Sequence, residues 1–223
     1  MAGIKQTFAM AQGEVLGNDQ VFQATFHAPL DDPKRAGICC GLSMLWVRNL
    51  ITHHKRTAEQ RKEGLRTAAA YAKAGETQDI HHRDSPTADS YENWVQRSYG
   101  SALRNNTLRA VTSSLICKES SAPGTLAKTM ESAAQAKHSY RLYFLRMQPV
   151  GKATQSGHVV ASYASSGKIF GWGRHLYFFD CESGEYKVDI AETNRWLTVW
   201  LQAWQTRGQK LLELRSFAVE AGV

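Results

Sequence analysis

The chain has 223 residues, with 27 Lys and Arg against 20 Asp and Glu, a formal net charge of +7 and 43% hydrophobic residues. It can bury one substantial core, and we predict a single domain over residues 1–223. No stretch approaches 18 consecutive apolar residues, which argues against a membrane span. The four cysteines, at 39, 40, 117 and 181, show neither metal-ligand spacing nor the density of a disulfide scaffold, so reduced thiols are expected.

The start of the chain carries no recognisable targeting signal. Met1–Lys5 lacks the basic-then-apolar build of a secretory signal, and Gly3 is not at the second position that N-myristoylation requires. We therefore expect a soluble protein, and any export of it would use a machine other than the general secretory route.

Helical patterns dominate the first 137 residues. Thr57 is a predicted N-cap, because Gln60 follows it three residues later as in a capping box. Gly75 is the predicted end of that helix. In chain order, the sequence predicts a short strand or extended segment at 21–26 and helices at 39–53, 57–75 and 125–137. A further helical region is predicted to begin at 85 or 89 and to reach toward 115, with an interruption near Gly100.

The pattern changes to short β-rich runs separated by glycines after residue 137. These runs predict a twisted antiparallel sheet crossed by one helix, Ile190–Trp204. The predicted strands are 140–147, 159–163, 176–179, 186–188 and 211–219. The fold class is therefore α+β, with a helical part at about residues 39–137 that packs on a sheet part at about 139–219.

Cys39 is the strongest candidate for a catalytic residue. Gly37, Ile38 and Cys39 lead directly into a predicted helix. The exposed N–H groups and the positive dipole end of a helix start favour a thiolate over a thiol. A thiolate at that position is a candidate nucleophile.

Two later predicted strands carry the other groups that a cysteine hydrolase needs. His158 precedes a Val-Val-Ala run, and Asp180 ends the next strand. The order Cys, His, Asp supplies a nucleophile, a base and a carboxylate that orients the base. Each residue taken alone also has a structural interpretation, since a buried cysteine and a core histidine are both common.

Three sequence blocks resemble the YopT-type cysteine peptidases of bacterial effectors, which have a papain-like fold. The pattern around the nucleophile, G-x-C-x-x-L-S-x-x-W, matches Gly37 to Trp46. A G-H-apolar-apolar-A block matches Gly157 to Ala161, and an aromatic-F-D block with a following Gly-Glu-aromatic matches Phe178 to Tyr186. The resemblance implies a papain-like fold with Cys39 as nucleophile, His158 as base and Asp180 as the orienting residue.

The sequence departs from this pattern in two places. The family usually has Pro-Asn after the aspartate, whereas this chain has Cys181 and Glu182. An amide side chain that papain-like enzymes commonly place just upstream of the nucleophile is also missing. We therefore assign one oxyanion-hole donor to the backbone N–H of Cys39, with Gln23 as a candidate for the second.

Helical geometry favours Cys39 over Cys40 as the nucleophile. Successive helical residues point about 100° apart. Leu42, Ser43 and Trp46 lie on the same side as Cys39, and Cys40 projects to one side, where we expect it to pack.

The resemblance implies a cysteine peptidase that acts as a secreted bacterial effector or toxin and cleaves a protein in the cytoplasm of a target cell. Such a protein would be cytoplasmic in its producer, would leave through a specialised secretion system and would have a cognate immunity or inhibitor protein as a candidate partner. The same constellation also serves amidases (including peptidoglycan amidases), deamidases and transglutaminases, which the sequence does not separate.

A non-enzymatic alternative is a basic domain that binds nucleic acid or protein. Basic residues cluster along one segment, but Glu59 and Glu63 interleave with them, and the chain has no nucleic-acid-binding motif. We do not favour nucleic acid as a partner. The basic residues are Arg48, Lys55, Arg56, Arg61, Lys62 and Arg66.

No cofactor or metal is predicted. His53-His54 and His81-His82 are adjacent pairs, which do not share a helix face, and we place the second pair, near Asp84, in a loop. Trp196, Trp200 and Trp204 recur at helical spacing and indicate packing. Gly171-Trp172-Gly173 lies between the His and Asp strands and could line the cleft.

Overall fold

A computed structural model describes residues 3–83, 91–118, 122–135, 139–167 and 173–222. The helices in this part of the chain are Gly13–Leu16 (α1), Asp19–Phe26 (α2), Cys39–Thr52 (α3), Ala58–Leu65 (α4), Ala68–Arg83 (α5), Tyr91–Asn105 (α6), Pro123–Ala134 (α7) and Thr193–Thr206 (α8). The strands are Ile4–Phe8 (β1), Leu108–Lys118 (β2), Tyr140–Pro149 (β3), Ser156–Ala164 (β4), His175–Asp180 (β5), Gly184–Asp189 (β6) and Gln209–Ala221 (β7).

The strands form one antiparallel sheet in the order β1-β6-β5-β4-β3-β7-β2. Helices cover both of its faces. Along β4, Val159 and Ala161 pack with the core that contains α3, α5 and α6, whereas Val160 packs with α7 and α8. Burial on both faces explains why the strands read as continuous apolar runs. No helix among the described residues combines the length and apolarity that crossing a bilayer requires.

The predicted helix at the nucleophile and the predicted strands of the second half are confirmed. α3 begins at Cys39, and β3, β4, β5, β6 and β7 each contain the predicted run. The predicted crossing helix is also present, although α8 begins at Thr193 after a short 3-10 turn at Ile190–Glu192.

The prediction of a strand or extended segment at 21–26 was wrong. This segment is the helix α2, whose N-cap Asn18 accepts a hydrogen bond from Val21 N–H at 3.1 Å. Phe22 is fully buried and packs on Phe26, with ring centroids 5.0 Å apart. A short helix buries its apolar side chains on one stripe, which a six-residue window did not distinguish from a strand.

The predicted capping box at Thr57 is confirmed, but the predicted helix end at Gly75 was wrong. α4 ends at Leu65, and α5 then continues through Gly75 as far as Arg83. A Cβ on Gly75 would lie 2.8 Å from the Phe26 ring and 2.9 Å from the Lys34 side chain. This glycine therefore permits close packing. The same helix carries His81 and His82, which we had placed in a loop.

The predicted helical region toward residue 115 is confirmed as far as Asn105, but its extension to 115 and its interruption near Gly100 were wrong. α6 runs unbroken through Gly100 and ends at Asn105, after which β2 pairs with β7 along its whole length. β1, which pairs with β6, was not predicted. The predicted helix start at 85 or 89, the helix end at 137, Asp84 and residues 171–172 lie outside the described residues.

The buried carboxylate of Glu185 ties the sheet to the helices. It accepts hydrogen bonds from Trp46 Nε1 at 2.8 Å, from Arg61 Nε at 2.7 Å and from Thr7 Oγ1 at 2.7 Å. Glu185 is 0% exposed, and its ion-pair partner Arg61 is 6% exposed. Trp46 and Glu185 both belong to the sequence motifs. The hydrogen bond between them gives a structural reason for their presence in those motifs.

Two further contacts fix α3 against its neighbours. Ser43 Oγ donates a hydrogen bond to the carbonyl oxygen of Val159 at 2.9 Å, which joins α3 to β4. Gly41 faces the backbone of Ala74, where an added Cβ would lie 2.3 Å from the carbonyl oxygen. Only glycine allows α3 and α5 to approach this closely.

Arg61→Ala should be strongly destabilising. Removing one partner leaves a buried charge uncompensated, which typically costs about 3–5 kcal/mol. Urea denaturation would measure the change in the free energy of unfolding. Lys62→Ala is the matched control, because its ion pair with Glu59 is exposed and contributes at most about 1 kcal/mol. Equal losses in the two variants would contradict a central role for Glu185.

Candidate active site

His158 and Asp180 form a buried hydrogen-bonded pair. His158 Nε2 lies 2.9 Å from Asp180 Oδ1, and the two side chains are 5% and 4% exposed. β4 and β5 are neighbouring antiparallel strands, so their ends bring these residues together. Because Nε2 is hydrogen-bonded to Asp180, the hydrogen bond between His158 and Cys39 is assigned to the other ring nitrogen, Nδ1.

The surroundings of His158 favour the imidazolium form. Burial acts to lower the pKa of His158, but the charge of Asp180 and hydrogen bonds to Asp180 and Cys39 raise it from the ordinary 6.5 to about 10. The Trp204 ring packs beside the imidazole, with centroids 4.8 Å apart. His158 is therefore placed to hold a proton next to the thiol of Cys39.

Asp180 is held as a carboxylate by three donors. Besides His158, the backbone N–H of Glu182 donates to Oδ1 at 3.0 Å, and Trp200 Nε1 donates to Oδ2 at 3.0 Å. Burial acts to raise the pKa of Asp180, but His158 and these hydrogen bonds lower it below its usual 3.8. The turn after Asp180 keeps the carboxylate in place even though Cys181 and Glu182 replace the usual Pro-Asn.

Cys39 occupies the first turn of α3. The first intrahelical hydrogen bond runs from Leu42 N–H to the Ile38 carbonyl oxygen at 3.0 Å, so the Cys39 N–H has no acceptor in a preceding turn. Gly37 has φ 150, a conformation that favours glycine, and it turns the chain into the helix. This geometry leaves the Cys39 N–H available as an oxyanion donor.

Two other cysteines lie close to Cys39. Burial and the neighbouring Cys39 raise the pKa of Cys40, and the same two causes, with Asp180 and Glu182, raise the pKa of Cys181. Both thiols are therefore held protonated. The structure thus distinguishes Cys39, which contacts the imidazole, from the adjacent Cys40.

Gln23 lies away from these groups. Its side chain is exposed on α2, and it is not among the described residues that line the cavity beside Cys39. Of the two predicted oxyanion donors, only the Cys39 backbone N–H therefore lies at the cavity.

A cavity of about 400 Å³ opens beside Cys39 and His158. Its apolar wall comes from α6 and β3, with Trp94, Tyr99 and Phe144 among the lining residues. His81 stacks on Tyr99, with ring centroids 4.5 Å apart. Burial and His82 lower the pKa of His81 to about 4, which keeps this ring neutral at physiological pH.

Polar and charged side chains also line the cavity. Glu213 forms ion pairs with Arg215 and, at 3.3 Å, with Arg146. Gln78 also lines the cavity, and its Nε2 lies 2.9 Å from His82 Nε2. The cavity beside the Cys39–His158 pair thus has aromatic and charged groups in its lining.

The residues that could hold a metal ion overlap with this same site. Among the described residues, His158, Asp180 and Cys181 have ligand atoms within 4.8 Å of one another. His158 Nε2 is already bonded to Asp180, and the raised pKa of Cys181 opposes the thiolate form that binds metals. The donor set therefore does not fit a metal centre.

Three of the six residues in the basic segment that raised a nucleic-acid interpretation are paired with acids. Arg61 binds the buried Glu185, and Lys62 pairs with Glu59. Arg66 pairs with Glu14 at 3.1 Å. The run of positive charges in the sequence is thus partly neutralised in the fold.

The sequence did not identify Trp200 as part of the site. Its spacing with Trp196 and Trp204 indicated packing, and both Trp196 and Trp200 do pack on Phe178. The spacing does not indicate that the indole N–H of Trp200 donates a hydrogen bond to Asp180.

The fold is shared with a solved structure. The chain is similar to the Pseudomonas avirulence protein AvrPphB, with a TM-score of 0.68 and 16% sequence identity, covering 84% of this chain and 94% of that protein. This similarity confirms the predicted papain-like α+β fold. It also supports the resemblance to YopT-type peptidases that the motif blocks indicate.

A second solved structure aligns more weakly. It is PatoxP, a cysteine protease-like domain of the Photorhabdus asymbiotica toxin PaTox, with a TM-score of 0.41 and 8% identity, covering 95% of this chain and 54% of that one. A TM-score at this level does not establish a shared fold. No family model matches the sequence, and no curated protein matches it significantly.

The raised pKa of His158 predicts a pH-dependent contribution to stability. A group with a folded pKa above its unfolded value stabilises the fold fully below the unfolded pKa and loses that contribution as the pH rises through the folded pKa. The wild type should therefore exceed His158→Gln in free energy of unfolding most at about pH 6, with the difference shrinking toward about pH 10. Denaturation across this range measures it, and a constant difference would refute the prediction.

Trp200→Phe should raise the pKa of Asp180. The variant loses the hydrogen bond to Asp180 Oδ2, which is one of the contacts that lower this pKa, and a bond to a charged group contributes about 1.5–3 kcal/mol. A carboxylate with fewer donors is less stabilised in its ionised form. Carboxyl NMR titration of Asp180 would show the shift. Trp196→Phe is the control, since Trp196 packs on the same Phe178 but does not donate to Asp180. Equal titrations in the two variants would exclude this role of Trp200.

Proposed function

We propose that this protein is a cysteine hydrolase that acts as a peptidase, with Cys39 as nucleophile, His158 as base and Asp180 as the orienting carboxylate. The observation that carries the proposal is the buried His158–Asp180 pair, whose imidazole hydrogen-bonds to a thiol at a helix start. The shared fold with AvrPphB and the three motif blocks support it.

The geometry supports acyl transfer in two steps. The Cys39 thiol gives its proton to His158, and the thiolate attacks the carbonyl carbon of the substrate while the Cys39 N–H donates to the developing oxyanion. His158 then protonates the leaving amine, which departs and leaves a thioester. Water, deprotonated by His158, attacks the thioester and releases the acid and the thiol.

We further propose a protein substrate and an effector role. The cavity beside Cys39 has the size and the mixed aromatic and charged lining that a peptide side chain requires. AvrPphB is an avirulence protein, and a similar role here implies export by a specialised system and action in the cytoplasm of a target cell. Amidase, deamidase and transglutaminase chemistry would use the same Cys39 and His158, and a cognate immunity protein is a candidate partner.

Iodoacetamide labelling against pH tests the proposed thiolate. Cys39 should react rapidly at about pH 6, well below the ordinary cysteine pKa of about 8.5, and His158→Ala should abolish that reaction. Peptide-level mass spectrometry would separate Cys39 from Cys40. Labelling only above about pH 8, or labelling of Cys40 first, would contradict the assignment.

Mass spectrometry of candidate target proteins tests the reaction type. A broken chain indicates proteolysis, whereas a gain of about 1 Da indicates deamidation. Cys39→Ala is the control, because it removes the nucleophile and should leave the fold intact. Turnover that persists in Cys39→Ala would eliminate the proposed mechanism.

A further inference from the structure

Gln12 connects the nucleophile to the turn that holds the catalytic carboxylate. It lies between β1 and α1 and is 5% exposed. Its Oε1 accepts a hydrogen bond from the backbone N–H of Ile38 at 3.0 Å, and its Nε2 donates to the Glu182 carboxylate. The Ile38 N–H can only donate, and the ionised Glu182 carboxylate can only accept. The oxygen and the nitrogen of the Gln12 side-chain amide can therefore each be assigned without ambiguity.

The backbone of Gln12 contacts the same turn. Its N–H donates to the carbonyl oxygen of Cys181 at 2.9 Å. Side chain and backbone therefore hold Gln12 to both residues that follow Asp180, across about 170 positions of the sequence.

Gln12 also fixes the direction of the oxyanion donor. The N–H of Ile38 binds Gln12, and its carbonyl oxygen accepts from Leu42 N–H. With both polar groups of Ile38 bound, the following peptide unit, which carries the Cys39 N–H, has a defined orientation. The N–H of Glu182 in turn donates to Asp180 Oδ1, so the contacts close a ring through Cys39, His158 and Asp180.

We propose that Gln12 is a positioning residue of the acyl-transfer site, which sets the relative placement of the Cys39 N–H and the Asp180 carboxylate. This inference rests on the proposed function of Cys39 and His158. The hydrogen-bond partners of Gln12 stand 26 and 170 residues from it in sequence, so the N-terminal segment takes part in the site although Gln12 does not line the cavity.

The variant Gln12→Ala tests this role with two probes. Hydrolysis of 4-nitrophenyl acetate requires oxyanion stabilisation, whereas alkylation by iodoacetamide does not. Ester hydrolysis should fall by up to about 10²-fold, the scale of a misplaced catalytic group, while alkylation at its optimal pH changes far less. The alkaline limb of the hydrolysis profile should also move to lower pH, because that limb reports loss of the imidazolium proton and a less firmly held Asp180 stabilises the imidazolium less.

Gln6→Ala is the matched control. Gln6 also donates to this turn, through a bond from Nε2 to the Ser183 carbonyl oxygen at 2.6 Å, but the Ile38 N–H donates to Gln12 and not to Gln6. Its ester hydrolysis and its pH profile should remain those of the wild type. If Gln12 contributed only to general stability, Gln12→Ala would lower hydrolysis and alkylation together through the folded fraction and would leave the pH profile in place.

Exchanging the amide and the carboxylate between positions 12 and 182 tests the bond between Gln12 and Glu182. Gln12→Glu keeps an acceptor for Ile38 N–H but places two carboxylates together, and hydrolysis should fall. The double variant Gln12→Glu/Glu182→Gln restores one donor and one acceptor, so hydrolysis should recover at least tenfold relative to Gln12→Glu, a coupling that a double-mutant cycle measures.

The outcomes separate this inference from the proposed function. If Cys39 of the wild type labels rapidly at about pH 6 but Gln12→Ala matches the wild type in hydrolysis and pH profile, the positioning role is overturned and the proposed function stands. Failure of the double variant to recover also overturns it. If wild-type Cys39 labels no faster than an ordinary thiol, both proposals fail together.

Discussion

The buried carboxylate of Glu185 is the constraint on which the rest of the structure depends. A charge with no solvent exposure is tolerated only when several donors surround it. Here the donors come from three separated elements, since Thr7 lies on β1, Trp46 on α3 and Arg61 on α4. Satisfying one carboxylate therefore fixes the N-terminal strand and two helices against β6.

That arrangement determines where the reactive groups meet. Glu185 lies on the strand that follows the Asp180 turn, and Trp46 lies two turns along α3 from Cys39. The Trp46 ring also stacks on Phe179, the residue before the aspartate, with centroids 5.6 Å apart. The residues that hold the fold thus stand beside the residues that carry the chemistry, and the sequence motifs contain both kinds.

The sequence predicted the residues that carry a local pattern and missed those whose role depends on contacts with remote parts of the chain. Cys39, His158 and Asp180 each carry a strong local pattern, such as a helix start or the end of an apolar strand. Gly75 was misread because its reason lies in Phe26 and Lys34, which approach from other parts of the chain. Gln12 and Trp200 gave no local signal, since a hydrogen bond to a remote residue leaves no periodicity in the sequence.

The pairing of β1 with β6 has a consequence for the order in which activity arises. Ile4 lies opposite Val188, and the Asp180 carboxylate binds Trp200 on α8. Contacts of such long sequence separation form late in folding, because the intervening chain must close first. The proposed nucleophile Cys39 therefore meets His158 and Asp180 in the complete site only once the chain as far as Trp200 is in place. A partly synthesised or unfolded chain carries the thiol but lacks the assembled site.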